Sequence, residues 1–363
     1  MIKKILKAGR QKLWTIHRDY LIDKHELKYL FWECTLNCNF KCKHCGSCAG
    51  SNRIAETLLA EDAKKVFFDV ANKYDSSKIT IAVTGGEPLM RQDLFEVMTY
   101  ASSLGFRWGM VTNGSLVSEQ IAEKMKNSGM KTIDVSIDGL ESVHDEFRNY
   151  RGSYQKAIDV VKILSSKNFL KPLRITTTVH RKNINQLEEM YDTFSKTGAH
   201  NWRLLNVDPI GRGIDNNEIL LNKIEVTKLL DFIKKKRTEK SKLGVSFGCA
   251  HFLGDEYEDE IRSSFFYCAT GNNIGSILHN GDIFVCPNVP RVKELIQGNV
   301  KKDSFTEVWE NKFDFFKNKK RMSCEMCQKC DSWEECLGGS LHSWNFEKKK
   351  PKICYMDKDF YVK

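Results

Sequence analysis

The segment Cys38-Asn39-Phe40-Lys41-Cys42-Lys43-His44-Cys45 places three thiols within eight residues. Thiolates so spaced on a loop can take three corners of one [4Fe–4S] cube and leave the fourth iron open to an exchangeable ligand. Cys48, three residues further on, could close that corner and make an electron carrier. Structural zinc is a third reading of the same spacing. Cys34 falls on a predicted strand and reads as a buried free thiol.

More chemistry-bearing residues follow in order. Thr84-Gly85-Gly86-Glu87-Pro88 joins two glycines, which permit close backbone approach, to a carboxylate able to hold an ammonium group and a proline that stiffens the turn. Next come Thr112-Asn113-Gly114, Val135-Ser136-Ile137-Asp138-Gly139 and His144-Asp145-Glu146-Phe147-Arg148, with Arg151-Gly152 nearby. His144 and Asp145 read as caps of the helix that follows. Of the thirteen cysteines, five lie from Cys34 to Cys48 and eight from Cys249 to Cys354, with none between. The late ones run Cys268, Gly281, Cys286, then Cys327-x2-Cys330-x5-Cys336 and Cys354, with Cys249 and Cys324 outside that series. Cys-x2-Cys is also zinc-ribbon spacing.

These residues need elements to position them. Strands are predicted at 27–32, 79–83, 107–111, 132–137, 174–179 and 202–207. Helices are predicted at 61–73, 93–104, 119–127, 154–166 and 187–197. Strand–helix alternation predicts a parallel α/β sheet, a partial (β/α)6 barrel, whose functional groups gather at the C-terminal strand ends. Asn280-Gly281 between Ile277 and Ile283 predicts a hairpin turn that brings Cys268 and Cys286 together. Three regions result: a basic amphipathic extension over 1–27, the barrel over 28–240, and a small cysteine-rich α+β domain over 245–363. The charge run 234–243 reads as a solvated helix end and linker.

Composition limits the function classes. The 363 residues are 41% hydrophobic, enough for a packed core, and the net charge is +10. Residues 1–30 hold eight Lys/Arg against three Asp/Glu, and no nucleic-acid-binding motif accompanies the remaining charge. No long uncharged apolar run predicts a membrane span, and the N-terminus has no apolar secretory core, so the chain is expected in the cytoplasm.

The cysteine triad after a first strand, followed by Gly-Gly-Glu-Pro after the second, resembles the signature of the radical S-adenosylmethionine superfamily. The later motifs resemble its peptide-modifying branch. This resemblance implies that Cys38, Cys42 and Cys45 hold a [4Fe–4S] cluster, and that Gly85, Gly86, Glu87 and Pro88 receive the methionine end of S-adenosylmethionine. It places Asn113 and Ser136 beside the ribose and Arg148 on a cofactor carboxylate. Asp138 joins the same pocket, and His44 stacks near adenine. The late cysteines resemble the SPASM extension, implying one or two auxiliary [4Fe–4S] clusters. Cys327, Cys330, Cys336 and Cys354 can fill one. Cys268 and Cys286 supply two ligands of another, with Cys324, Cys249 or Ser340 as completing groups. Ser340 stands where the family pattern has a further cysteine.

The implied activity is reductive cleavage of S-adenosylmethionine to a 5′-deoxyadenosyl radical, which takes hydrogen from a peptide or protein substrate. A flavodoxin- or ferredoxin-type reductant is implied as partner. Pro287, where sulfatase-maturing relatives have Asp, argues against that substrate. Leu30-Phe31-Trp32-Glu33-Cys34-Thr35 also resembles a subgroup encoded beside a lipoprotein. Two alternatives stand: a cofactor-biosynthesis enzyme acting on a small molecule such as a tetrapyrrole, and a non-enzymatic iron–sulfur redox sensor. Residues 1–27 have two readings, a helix packed on the barrel or contact with a membrane surface.

Overall fold

The computed structural model describes residues 2–362 apart from 52–56, 215, 217, 240–241, 249–250, 255, 264–265, 319–321 and 359. Cys249 therefore lies outside the described residues. After helix α1 (Ile2–Lys24), strands β1 (Tyr29–Glu33), β2 (Thr80–Thr84), β3 (Arg107–Thr112), β4 (Thr132–Ser136), β5 (Leu173–Val179) and β6 (Asn201–Asn206) alternate with helices. These are α2 (Ala60–Lys73), α3 (Leu94–Ser103), α4 (Glu119–Asn127), α5 (Glu141–Arg148), α6 (Ser153–Lys167), α7 (Leu187–Phe194) and α8 (Lys223–Thr238). Each of the six strands lies parallel to its predecessor, in register. Parallel pairing sends every strand's C-terminus to the same end, so all the predicted loops converge there.

The sheet extends past six strands. A seventh, β7 (Gly244–Phe247), pairs parallel with β6. On the other side β8 (Ile274–Ile277) pairs parallel with β1 and turns through Asn280-Gly281 into antiparallel β9 (Asp282–Phe284), followed by β10 (Gly298–Asn299). Gly281 has φ +93°, and its N–H donates to the Leu278 carbonyl. Four residues, too few to show a period, form β7, and its partner β6 supplies the ladder. The end of α8 is also less solvated than its charge run predicts. Lys236 is buried, its ammonium 4.3 Å from the Tyr191 ring centroid, because the alkyl stem covers apolar surface.

The core lies between sheet and helices. Trp32 on β1 meets Phe67 of α2 edge to face, and Trp202 on β6 meets Phe194 of α7 and Phe232 of α8 in the same way. All five rings are at most 7% exposed, and such pairs add to area burial. Helix α1 packs on the cysteine-rich segment. Arg18 donates to the Glu334 carbonyl and the Trp14 indole to the Phe266 carbonyl, so α1 covers the cysteine-rich segment. Its other face leaves Leu13, Ile16 and Tyr20 exposed.

Candidate metal centre and cofactor site

The cysteine loop begins where β1 ends. Cys34, the next residue, is fully buried, its thiol pushed up by burial, and its carbonyl accepts from Arg91. The loop closes on itself through an Asn37–Gly50 bridge, with the Cys38 N–H donating to the Gly50 carbonyl at 3.2 Å. Neighbouring strand ends then brace it. The Gly86 and Glu87 N–H groups donate to the Thr35 and Asn37 carbonyls at 2.7 and 2.9 Å. A Cβ on Gly85 would sit 2.2 Å from the Thr35 oxygen, and one on Gly86 2.2 Å from that of Asn37. The two glycines thus meet the cysteine loop's own backbone, a constraint additional to any cofactor.

From the far side Arg212, after β6, donates to the Cys42 carbonyl at 2.7 Å and the Ala49 carbonyl at 2.8 Å. Its N–H donates to the Cys45 carbonyl, and Gly211 approaches the same carbonyl too closely for a Cβ. Arg212 was not singled out in the sequence. The available signal was Gly211-Arg212-Gly213 after a strand.

The expected cofactor residues converge here, several with protein partners. Glu87 is fully buried and accepts from the Thr112 hydroxyl, the Asn113 N–H and the Leu89 N–H. It ties the ends of β2 and β3 together, and burial raises its carboxyl despite those donors. Pro88 opens the buried turn that follows. Asn113 donates to Asn39 of the cysteine loop at 2.9 Å. Ser136 is buried as the last residue of β4. Asp138 is fully buried and pairs with Arg148 at 2.6 Å. Arg148 also reaches the Cys42 sulfur at 3.7 Å.

His44 stacks on Phe147 at 4.4 Å, and Phe147 on His180 at 3.8 Å. Burial, then Arg148, holds the His44 imidazole well below the usual range. Asp145 caps the following helix as predicted, accepting from the Ser153 hydroxyl and the Tyr154 N–H at the start of α6. His144 does not cap it. It lies inside α5, and its Nδ1 accepts the Asp138 N–H at 2.9 Å.

The donor chemistry fits an iron–sulfur group. Burial pushes the Cys38 thiol up to about 11 and raises that of Cys42, and the neighbouring Cys45 adds to the cost of ionising either. Such thiols become thiolates when a metal supplies the compensating charge. In the cysteine-rich segment Cys327, Cys330, Cys336 and Cys354 line one cavity of about 130 Å³. Burial lifts Cys336 to about 12. Cys324 lies beside this set, its sulfur 3.1 Å from that of Cys327. Cys268 and Cys286 are both buried, and burial, with Cys268 nearby, pushes the Cys286 thiol up to about 11. Ser340 is fully buried. Its hydroxyl lies 3.3 Å from Ser343 Oγ and 3.3 Å from His342 Nε2.

A family model for the radical SAM superfamily matches residues 32–194, and one for SPASM, an iron–sulfur cluster-binding domain, matches residues 268–331. The AdoMet-dependent heme synthase of Methanosarcina barkeri is 27% identical over 86% of this chain and 90% of its own length. Mycofactocin maturase MftC of Mycolicibacterium smegmatis is 28% identical over 86% of this chain and 77% of its own. The crystal structure of Streptococcus suis SuiB bound to S-adenosylmethionine shares the fold, with TM-score 0.72 at 18% identity, covering 94% of this chain and 80% of that one. The redox-sensor reading gives way to these enzyme relatives. With its parallel sheet, its cysteine loop and both domain matches, the chain carries a radical SAM domain and a SPASM domain, and is a radical SAM enzyme that works with [4Fe–4S] clusters and S-adenosylmethionine.

Proposed function

We propose that Cys38, Cys42 and Cys45 hold the cluster that engages S-adenosylmethionine, and that the substrate is a peptide or protein. When bound, these groups supply the electron and the 5′-deoxyadenosyl radical that takes hydrogen from the substrate. The observation that carries the first part is the bracing of the cysteine loop by Gly85-Gly86, Asn113 and Arg212. It holds the loop that carries the three thiols, and the Cys48 N–H adds a bond to the Cys45 carbonyl at 3.2 Å from a backbone in the left-handed region at φ 52°. Arg148 stabilises thiolate charge on Cys42 while Asp138 holds the guanidinium in place. The barrel end also shields the reacting centre from water.

A recess of about 510 Å³ supports the substrate reading. Arg181 and Pro209, past β5 and β6, line it together with Lys348, Lys350, Lys352 and Tyr361. It suits a chain bearing carboxylates. The relatives named as peptide-modifying, MftC and SuiB bound to its precursor peptide SuiA, point the same way. The reading of a tetrapyrrole-like small molecule is favoured by the 90% coverage of a heme synthase, and its carboxylates suit the same cations. A flavodoxin- or ferredoxin-type protein is the proposed reductant, and a lipoprotein one candidate substrate.

Anaerobic reconstitution followed by dithionite and S-adenosylmethionine tests the cluster assignment. Wild type should release 5′-deoxyadenosine, and a Cys38/Cys42/Cys45→Ala variant should release none. Deuterated peptides encoded near the gene and iron-coproporphyrin are then offered in parallel. Deuterium in 5′-deoxyadenosine from the porphyrin alone overturns the peptide reading.

A further inference from the structure

Three side chains used by no step above meet where the barrel joins the cysteine-rich segment. Asp208 follows β6, His251 follows β7, and His342 lies in the turn Leu341–Ser343. One ligating atom from each lies within 4.8 Å of the others. His251 Nε2 is 3.2 Å from Asp208 Oδ1, and His342 Nε2 is 3.2 Å from Asp208 Oδ2. The two Nε2 atoms are 3.3 Å apart. The side chains are only 13%, 3% and 11% exposed, in the order Asp208, His251, His342.

We propose that Asp208, His251 and His342 form a mononuclear site for a divalent transition metal of the zinc or iron(II) class, distinct from the iron–sulfur ligands. Tetrahedral bonds of about 2.0–2.1 Å place ligand atoms about 3.3–3.4 Å apart. The two Nε2 atoms, 3.3 Å apart, match that edge length, and the Asp208 carboxylate faces both imidazoles, one oxygen 3.2 Å from each, so that it can supply its ligand atom from either oxygen. Two imidazoles and one carboxylate are also a donor set that leaves a coordination position open. Without a metal, both Nε2–H groups can reach the carboxylate only by bringing two N–H dipoles together in a buried place, which is unfavourable. A cation among them removes that conflict.

The surroundings orient the carboxylate as ligand shells do. Asn206 Nδ2 donates to Asp208 Oδ1 at 3.0 Å, and the Tyr355 hydroxyl donates to Asn206 Oδ1 at 2.9 Å. Lys352 is a cation opposed to a dication here, but its ammonium is drawn onto the Pro209 carbonyl at 3.3 Å. Ser340 links this site to the cysteine pattern. Where a further thiolate is expected, the chain has a hydroxyl beside His342. That seam therefore offers nitrogen and oxygen donors, while Cys327, Cys330, Cys336 and Cys354 keep a separate thiolate cavity, which His251 also lines. A metal here joins three distant segments of chain across the two regions.

The test uses the full chain with its clusters reconstituted anaerobically, given one equivalent of zinc and desalted. Zinc, iron and sulfide are counted, and zinc-edge X-ray absorption reads the ligand atoms. Wild type should retain about one zinc per chain with only nitrogen and oxygen neighbours. His342→Gln and the near-isosteric Asp208→Asn should each weaken retention at least tenfold with iron and sulfide unchanged. Wild type retaining no zinc, zinc with sulfur neighbours, or full retention in both variants overturns the site. If His342→Gln loses its clusters, wild type and Asp208→Asn still decide.

Discussion

Cys42 in the barrel loop and Cys336 in the cysteine-rich segment both sit among other thiols, but their backbones are held differently. The Cys42 carbonyl is bonded by Arg212, far along the chain, and its loop lies against Gly86 and Asn113 from two other strand ends. Cys336 donates to Ser332, and its carbonyl accepts from Gly339. Apart from Arg18 on the Glu334 carbonyl, the elements around it are short and local. Glu325–Gln328 and Trp333–Cys336 are four-residue helices, and Trp344–Asn345 pairs with Lys350–Pro351 as two-residue strands. Helices that short do not hold themselves, and so small a unit needs a staple. The barrel loop is therefore a preformed receptacle, whereas the cysteine-rich segment derives much of its order from the metal it holds.

Metal removal tests that contrast most strongly. Binding that exists only in the folded state adds directly to folding free energy. Stripping the reconstituted protein with chelator should raise amide exchange over 322–358 by about 100-fold or more, roughly 2.7 kcal/mol. The strands β1 to β6 should change little. Equal exposure of both regions breaks the comparison.

The next largest effect is expected from Gly86→Ala. Its Cβ would meet the Asn37 carbonyl oxygen at 2.2 Å and the carbonyl carbon at 2.6 Å. Backbone cannot yield as a side-chain tip can, so about 1–3 kcal/mol of stability should be lost. Urea unfolding measures it, and iron counts should fall for the barrel cluster alone. Arg212→Ala should cost about 1–3 kcal/mol by leaving the Cys42 and Ala49 carbonyls short of a donor. Its distinguishing readout is faster loss of barrel-cluster iron, with Arg212→Lys intermediate.

A titration sharpens the same contrast. His144, packed in α5, is held down to about 3, first by burial and then by Arg148. Unfolded, it titrates near 6.5, so below that pH the unfolded chain binds the extra proton. Stability is lost as pH falls from 6.5 toward 3. Between pH 7.5 and 5.5 His144 alone should remove about 1.4 kcal/mol. His144→Gln should lessen the pH dependence of urea midpoints by that amount.

Legibility in the sequence follows the same division. The six strands and their helices were readable because β and α periods alternate over long runs. Helix 119–127 needs no adjustment, and β1 shifts by one or two residues. The strands β7 and β10, four and two residues long, have no period of their own. The cysteine triad is legible because its ligands lie on one loop. Arg212 is not, since its acceptors are carbonyls that any residue offers. Nor is the His44–Phe147–His180 stack, nor the Asp208–His251–His342 group, which only tertiary folding assembles. For Glu87, Arg148 and His44 the residue types point to the site, but their contacts within the chain, to Asn113, Asp138 and Phe147, do not show in a linear pattern.

The smallest effect is expected at Cys34, and it tests whether nearness to the loop suffices to make a thiol a ligand. Its side chain is buried in the core that also holds Trp32 and Leu58, while Arg91 binds its backbone carbonyl. Cys34→Ala keeps that carbonyl and removes one sulfur, so about 1 kcal/mol of stability should go. Iron content and 5′-deoxyadenosine release should match wild type. A fall in either on the scale of Cys42→Ala would put Cys34 among the ligands and erase the distinction between a core thiol and a loop thiol four residues away from Cys38.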